Sequence, residues 1–238
     1  MMNLIRGFRG KLEDAIQIGQ PFQVHMETIG NAEYDTCCFG VDGNNKLSDD
    51  RYMIFYNQLS SPNGEIVCNG QGNFSDYTVN LSAMPSTVQK LVFTVSIDGN
   101  GTMGQIQSHK IQIVQNGTVC MELNLTGKDF HLEKAIIGIE IYMKSVWRIS
   151  APASGYNGGL ADLLTHYGGT LAEPAPAPTP TPPPIPKPVR TAPTPAPAPI
   201  PEPVRTVPTP EPAPTSAPVT KVELRKGQKV SLEKKGSQ

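Results

Sequence analysis

The chain has 238 residues, 24 of them Pro, and 20 of those Pro lie between Pro174 and Pro218, a density at which missing donors and fixed φ exclude a packed core. The fold therefore belongs to roughly the first 170 residues, enough for one well-buried domain. That part carries 11 Lys+Arg against 16 Asp+Glu, net −5, and the remainder 9 against 5, net +4; a front this acidic argues against nucleic-acid binding, which needs a positive face.

From Met1 to Lys11 the chain carries Arg6, Arg9 and Lys11 with no apolar stretch behind them, so it does not read as a secretory signal. No run of 18 apolar residues exists to cross a bilayer, and the expected location is the cytoplasm. Five Asn-x-Ser/Thr triplets, at Asn73, Asn80, Asn100, Asn116 and Asn124, then carry no meaning. Phe22, Val24 and Met26 alternate with Gln23, His25 and Glu27, the period of a half-buried strand. Runs at 34–41, 51–57, 90–97, 106–114, 119–125 and 135–143 continue the pattern, with shorter candidates at 77–81 and 146–149. Turn residues separate them: Asp42-Gly43-Asn44-Asn45, Ser61-Pro62-Asn63-Gly64, Asp98-Gly99-Asn100-Gly101 and Asn116-Gly117, the last a strong hairpin signal. The predicted class is all-β, an antiparallel β-sandwich. Leu160, Leu163, Leu164 and Tyr167 share one face of a short C-terminal helix that Gly168-Gly169 stops, expected to pack on a sheet edge or end.

From 171 to 220 the chain is rich in Pro, Ala and Thr and repeats fifteen residues, PIPKPVRTAPTPAPA from Pro184 and PIPEPVRTVPTPEPA from Pro199. It reads as a disordered, extended spacer. Residues 221–238 alternate briefly at Val222, Leu224, Val230 and Leu232, and are too few to fold alone.

The chemistry-bearing residues are sparse. There is no Gly-x-Ser-x-Gly elbow, dinucleotide or phosphate loop, or His-Glu-x-x-His motif, and the expectation is a chain without enzyme activity. His25, His109, His131 and His166 stand apart and read as surface or internally satisfied histidines. Cys37, Cys38, Cys68 and Cys120 lack zinc spacing and read as small buried hydrophobes. The acidic turns hold oxygen ligands of the kind calcium takes. As EF-hands they fail, because the twelfth position is Met53 counted from Asp42 and His109 counted from Asp98. By spacing alone Asp and Asn serve the turns themselves.

The segment SDDRYMIFYNQLSSPNGEI (48–66), with CCFGVDGNNKL (37–47) before it, resembles the signature of the TerD-domain family of bacterial tellurium-resistance and stress proteins. VWRISAPASGYNGGLADLLTHYGG (146–169) is similar to the family's closing Trp strand, Gly-Tyr-x-Gly-Gly turn and Leu-rich helix, and the opening NLIRGFRGKL is closest to the TerA-like branch. ELRKGQKVSLEK (223–234) resembles the first strand of a second such domain. The domains implied are a TerD-like sandwich over 1–170, a linker over 171–220 and a partial first strand over 221–238. The resemblance implies a calcium site and a part in a cytoplasmic stress-response or tellurite-resistance complex. Its partners would be other stress-complex proteins, among them other TerD-domain proteins, with no nucleic acid and no membrane insertion. Carried over by position, the metal ligands are Asp35, Asp42, Asp49, Asp50, Asn57 and Asp98, with Asn44, Asn100 and Glu140 as further candidates. This chain departs from the family at CNGQGNFSDY (68–77), which offers only Asp76, and at the reduced DGNG turn (98–101). Fewer carboxylates imply fewer or weaker calcium sites. The alternative reading is a metal-independent scaffold that holds partners through the sandwich and its Pro-rich spacer.

Overall fold

The computed structural model describes residues 1–169; the predicted linker and partial second domain lie outside the described residues. Two sheets face one another. The first has six strands in the order β1 (Met2–Leu4), β10 (Thr118–Leu125), β9 (Ser108–Gln115), β3 (Phe22–Ile29), β7 (Phe74–Val79) and β6 (Ile66–Gln71). The second runs β2 (Phe8–Lys11), β12 (Val146–Ala151), β11 (Ala135–Lys144), β8 (Lys90–Asp98), β4 (Glu33–Val41) and β5 (Met53–Ile54), with β13 (Ser154–Tyr156) paired to the start of β11. Neighbours are antiparallel except β1, which runs parallel to β10. One helix, α1 (Leu160–His166), closes the domain. The predicted sandwich with a short C-terminal helix is the observed architecture.

The sheets differ in burial, and the sequence explains why. On β9 every second residue is buried, and β3 buries Phe22, Val24 and Met26. Their other faces meet water and carry cross-strand polar pairs, a hydrogen bond of His25 with Asp76 at 2.9 Å and an ion pair of Glu27 with Lys110 at 2.7 Å. In the second sheet Leu91–Ile97 of β8 are buried without interruption, as are Ala135–Ile139 of β11, which is why these segments read as near-continuous apolar runs. Part of that second face lies under α1: Tyr167 stacks on Phe39 of β4 with ring centroids 5.7 Å apart, and Leu163 and Leu164 are buried. Asn116 and Gly117 both take positive φ, 52° and 73°, and turn β9 into β10 as their sequence predicts.

Three expectations shift. The run 51–57 is not one strand. Asp49 caps a 3-10 turn over Asp50–Tyr52, two residues form β5, and Phe55 and Gln58 then exchange backbone bonds of 3.0 and 2.9 Å in a tight hairpin. The short run at 77–81 starts earlier, at Phe74, and ends where a 3-10 turn begins at Leu81. Between them β6, with the sequence IVCNGQ, has too little alternation to be read.

His109 is neither on the surface nor internally satisfied. It is fully buried on β9 between the sheets; its Nδ1 meets Thr28 Oγ1 at 2.9 Å and its Nε2 has no partner. A bulge at Gly138 of β11 accommodates it: a Cβ there would lie 3.5 Å from that nitrogen and overlap Ile111. Burial without a counter-charge holds the imidazole pKa down, to about 4. The unfolded chain takes up a proton below about pH 6.5 that the folded chain refuses until about pH 4, so stability falls as pH drops through this window. The loss is on the order of 3 kcal/mol for a depression of this size. Urea midpoints measured from pH 7 to 4 should fall in the wild type and flatten over that interval in His109→Gln. Parallel curves would show that His109 does not set the slope.

Candidate functional site

The acidic residues singled out by sequence do not converge. Asp35 lies on β4, registered against Ser96, and Asp98 ends β8 opposite Glu33, with Asn100 just beyond it. Asp42, Asn44, Asp49, Asp50 and Asn57 belong to the other end of β4. Seven residues of extended chain separate Asp35 from Asp42, about 23 Å at ~3.3 Å each. Glu140 sits apart again, on β11, with one oxygen 3.4 Å from Lys90 Nζ and the other accepting from Ser150 Oγ at 3.1 Å. Among the described residues no group of three or more His, Cys, Asp or Glu side chains is placed to hold a metal ion.

The loop after β4 is the densest acidic segment, and local hydrogen bonds shape it. Asp42 Oδ1 accepts from the Asn44 and Lys46 amides at 2.8 and 2.9 Å, and Oδ2 accepts from Ser48 Oγ at 2.7 Å. These bonds, led by that of Ser48, hold its carboxyl below the usual range. Asp49 caps the turn that follows and is gripped by Arg51, whose Nε donates to Oδ1 at 2.9 Å and whose second terminal nitrogen donates to Oδ2 at 2.7 Å. That grip likewise lowers the Asp49 pKa. Asp50 and Asn57 are exposed, and Gln58 ties their two turns together by donating to the Asp50 carbonyl. The Leu47 amide donates to the Tyr167 carbonyl at 2.8 Å, so the loop is fastened to the end of α1. Both oxygens of Asp42 and both of Asp49 thus accept from donors of their own chain.

The most buried carboxylate was not a sequence candidate. Glu65 is 1 % exposed. It accepts from Tyr52 Oη at 3.1 Å, Ser61 Oγ, the Asn63 amide at 3.1 Å and Asn63 Nδ2 at 2.9 Å. Burial alone would raise its pKa, but the donors of Ser61 and Asn63 outweigh that and hold it down to about 2. In return Tyr52, buried and facing this carboxylate, is pushed up to about 12. The available signal was the SPNG turn, whose hydroxyl and amide donors precede Glu65 by two to four residues. Three of the cysteines behave as read, since Cys37, Cys38 and Cys68 are buried, whereas Cys120 is only half-buried; all four are free thiols. Beside Cys68 the buried Tyr77 hydroxyl donates to Thr36 Oγ1 at 3.0 Å, which donates to Ser75 Oγ at 2.6 Å, joining β7 to β4 across the sandwich.

A family model for the TerD domain matches residues 1–167. The chain belongs to the TerD-domain family. General stress protein 16U of Bacillus subtilis (strain 168) is 34% identical over 150 residues, covering 57% of this chain and 77% of that protein. Tellurium resistance protein TerA of Alcaligenes sp is 37% identical over 127 residues, 52% of this chain and 37% of its own length. The crystal structure of SAV2460, a protein of unknown function, superposes over 66% of this chain and all of its own with a TM-score of 0.50 at 14% identity, a likeness of fold. The TerD domain of this chain thus sets the aspartates singled out by sequence at opposite ends of β4, with Glu140 apart on β11 and Glu65 sealed inside.

Removing Glu65 strands several buried donors, each worth about 1–3 kcal/mol when left unsatisfied. Glu65→Ala should therefore cost about 3 kcal/mol or more in denaturant unfolding, and Tyr52→Phe, which removes a single donor, about 1 kcal/mol. Equal small losses from both would show that the carboxylate does not organise the turn.

Proposed function

We propose that this chain serves tellurium resistance and the general stress response as a non-enzymatic module, a scaffold that holds partners through its TerD domain and Pro-rich spacer. The relatives' names support the setting. The observation that carries the reading is that the carboxylates best placed for chemistry are taken up by the chain's own donors: Asp42 by its turn, Asp49 by Arg51, and Glu65 by Ser61, Asn63 and Tyr52. The partners are other proteins of a stress complex, TerD-domain proteins among them. The acidic domain disfavours nucleic acid, and no helix among the described residues is long and apolar enough to cross a membrane. Four free thiols suit the reducing cytoplasm.

A second reading places calcium at the loop from Asp42 to Asp50. What favours it is that Asp42, Asp49 and Asp50 lie within nine residues on one surface loop, with Asp50 exposed. In that reading the cation displaces Arg51 from Asp49 and draws in the exposed Asp50. An ion that binds only the folded state stabilises it by about 2.7 kcal/mol at one hundred times Kd. Melting of the full chain in millimolar calcium decides between the two. The calcium reading requires a raised Tm that Asp49→Asn with Asp50→Asn abolishes and that Arg51→Gln enlarges. Unshifted melts in both the wild type and Arg51→Gln would leave the scaffold. The scaffold reading in turn requires that deleting residues 171–220 lowers tellurite tolerance in cells while leaving the Tm of the domain unchanged.

A further inference from the structure

The outer face of the second sheet carries a basic stripe. Lys11 of β2 is registered directly against Arg148 of β12, and the same row continues through Tyr142 of β11 to Lys90 of β8. Residues in register share a face of a sheet. This is the outer face, because the alternate residues Ile141, Ile149 and Leu91 are fully buried. Arg9 stands two residues from Lys11, and Lys144 two residues from Tyr142, on that same face. Five of the 11 Lys and Arg in residues 1–170 therefore gather on four neighbouring strands. Lys11 pairs with Glu13 at 3.1 Å and Lys90 with Glu140 at 3.4 Å, whereas among the described residues no carboxylate forms an ion pair with Arg9, Lys144 or Arg148. Five cations thus face two carboxylates, on a domain whose own balance is −5.

At the far end of β4 and β8 the sign reverses. Glu33 is registered directly against Asp98, and Asp35, two residues on, shares their face opposite Ser96. Glu33 and Asp98 are exposed. The cation beside this corner is Lys134, whose Nζ donates to the Gly99 carbonyl at 3.0 Å. Eight residues of extended β8 separate Lys90 from Asp98, about 26 Å at ~3.3 Å each, so stripe and corner cannot neutralise one another within one domain. Like charges set directly opposite across two strands destabilise a sheet. One face here does so twice, with Lys11 against Arg148 and Glu33 against Asp98, and local rules of this kind are broken where a surface has a use.

We propose that the stripe around Lys11 and Arg148 is a docking surface for the acidic corner around Glu33 and Asp98 of a second copy of this chain. Charge selects that occupant: each pair brings the other the opposite sign, so one contact relieves two unfavourable juxtapositions. The fork of the Arg148 guanidinium matches a carboxylate in two bonds, and the half-buried Tyr142 beside it gives the contact an aromatic surface. The acidic balance of the incoming domain steers it toward the stripe before contact. The inference rests on the reading of the chain as a scaffold for TerD-domain partners, and it names the surface used and the copy that fills it.

The test is sedimentation of the full chain over a range of protein concentrations, in about 0.1 M and about 1 M salt, between which the screening length falls from about 10 to about 3 Å. Expected is self-association in the lower salt whose apparent Kd weakens about tenfold or more in the higher. Lys11→Glu with Arg148→Glu should abolish it, as should Glu33→Lys with Asp98→Lys. The fourfold variant, in which stripe and corner are both reversed, should associate again. Lys46→Glu with Lys128→Glu, which changes the net charge by the same amount away from the stripe, should leave association intact. Unchanged melting of each variant shows that the domain is folded, and Arg148→Gln alone, expected to weaken association severalfold, covers a double reversal that unfolds it. A wild type that stays monomeric in the lower salt, association that survives the stripe reversal, or a fourfold variant that fails to recover would each overturn the proposal. Tellurite tolerance after spacer deletion reads the scaffold separately, so either can fail without the other.

Discussion

The second sheet has strands buried on both faces, and much of the molecule's arrangement answers that constraint. β4 and β8 cannot leave the middle of their outer sides to water, because the residues there are Cys37, Phe39, Val92 and Thr94. A sheet in this state needs a lid, and α1 supplies it, with Tyr167 on Phe39 and two buried leucines beside it. The lid is too short to be stable alone, since seven residues lie well under the length at which isolated helices persist. It holds because tertiary contacts fix it, among them the Leu47–Tyr167 backbone bond that ties it to the loop after β4. Loop, helix and sheet are therefore one cooperative unit, and any ligand that orders the loop acts on the cover of the core.

Charge is used differently on the two sides of that unit. On the surface Asp42 and Asp49 satisfy backbone amides and a neighbouring guanidinium, interactions that water and salt weaken. Inside, Glu65 is surrounded by neutral donors rather than by a cation. A buried carboxylate without a counter-ion is costly unless its lone pairs are filled, and four donor groups fill them here. The difference separates residues that can be recruited from residues that are committed. Asp42, Asp49 and Asp50 can exchange partners at the cost of exposed bonds, whereas releasing Glu65 would mean dismantling the turn from Ser61 to Glu65.

The edges of the two sheets pose the remaining problem, since an unpaired edge is a template for other strands. Here one short segment covers an edge of each sheet, crossing between them at Gly7. β1 and β2 each contribute only a few ladder bonds, so their hold depends on Leu4 and Leu12 being sunk into the core at either end.

Local sequence was enough for much of the fold. Alternation over Phe22–Met26 and over β9 and β10 marked strands, Asn116-Gly117 marked a hairpin, and the spacing of Leu160, Leu163, Leu164 and Tyr167 marked the helix. Each signal is carried by neighbours in the chain, and motifs at 37–66 and 146–169 pointed to the family for the same reason. β1 and β2 were invisible as strands because three or four residues show no period, and Met2 finds its partner at Met121. The acidic residues could be named from sequence but not grouped: an extended β4 sets Asp35 and Asp42 at opposite ends, so a set that looks clustered in the chain is divided in space. His109 and Glu65 were misread or missed because neither shows its environment in its neighbours. Whether a polar side chain is sealed, filled or left with an unpaired nitrogen depends on residues brought from distant strands and turns, such as Thr28 and Gly138 around His109, and only tertiary packing decides that.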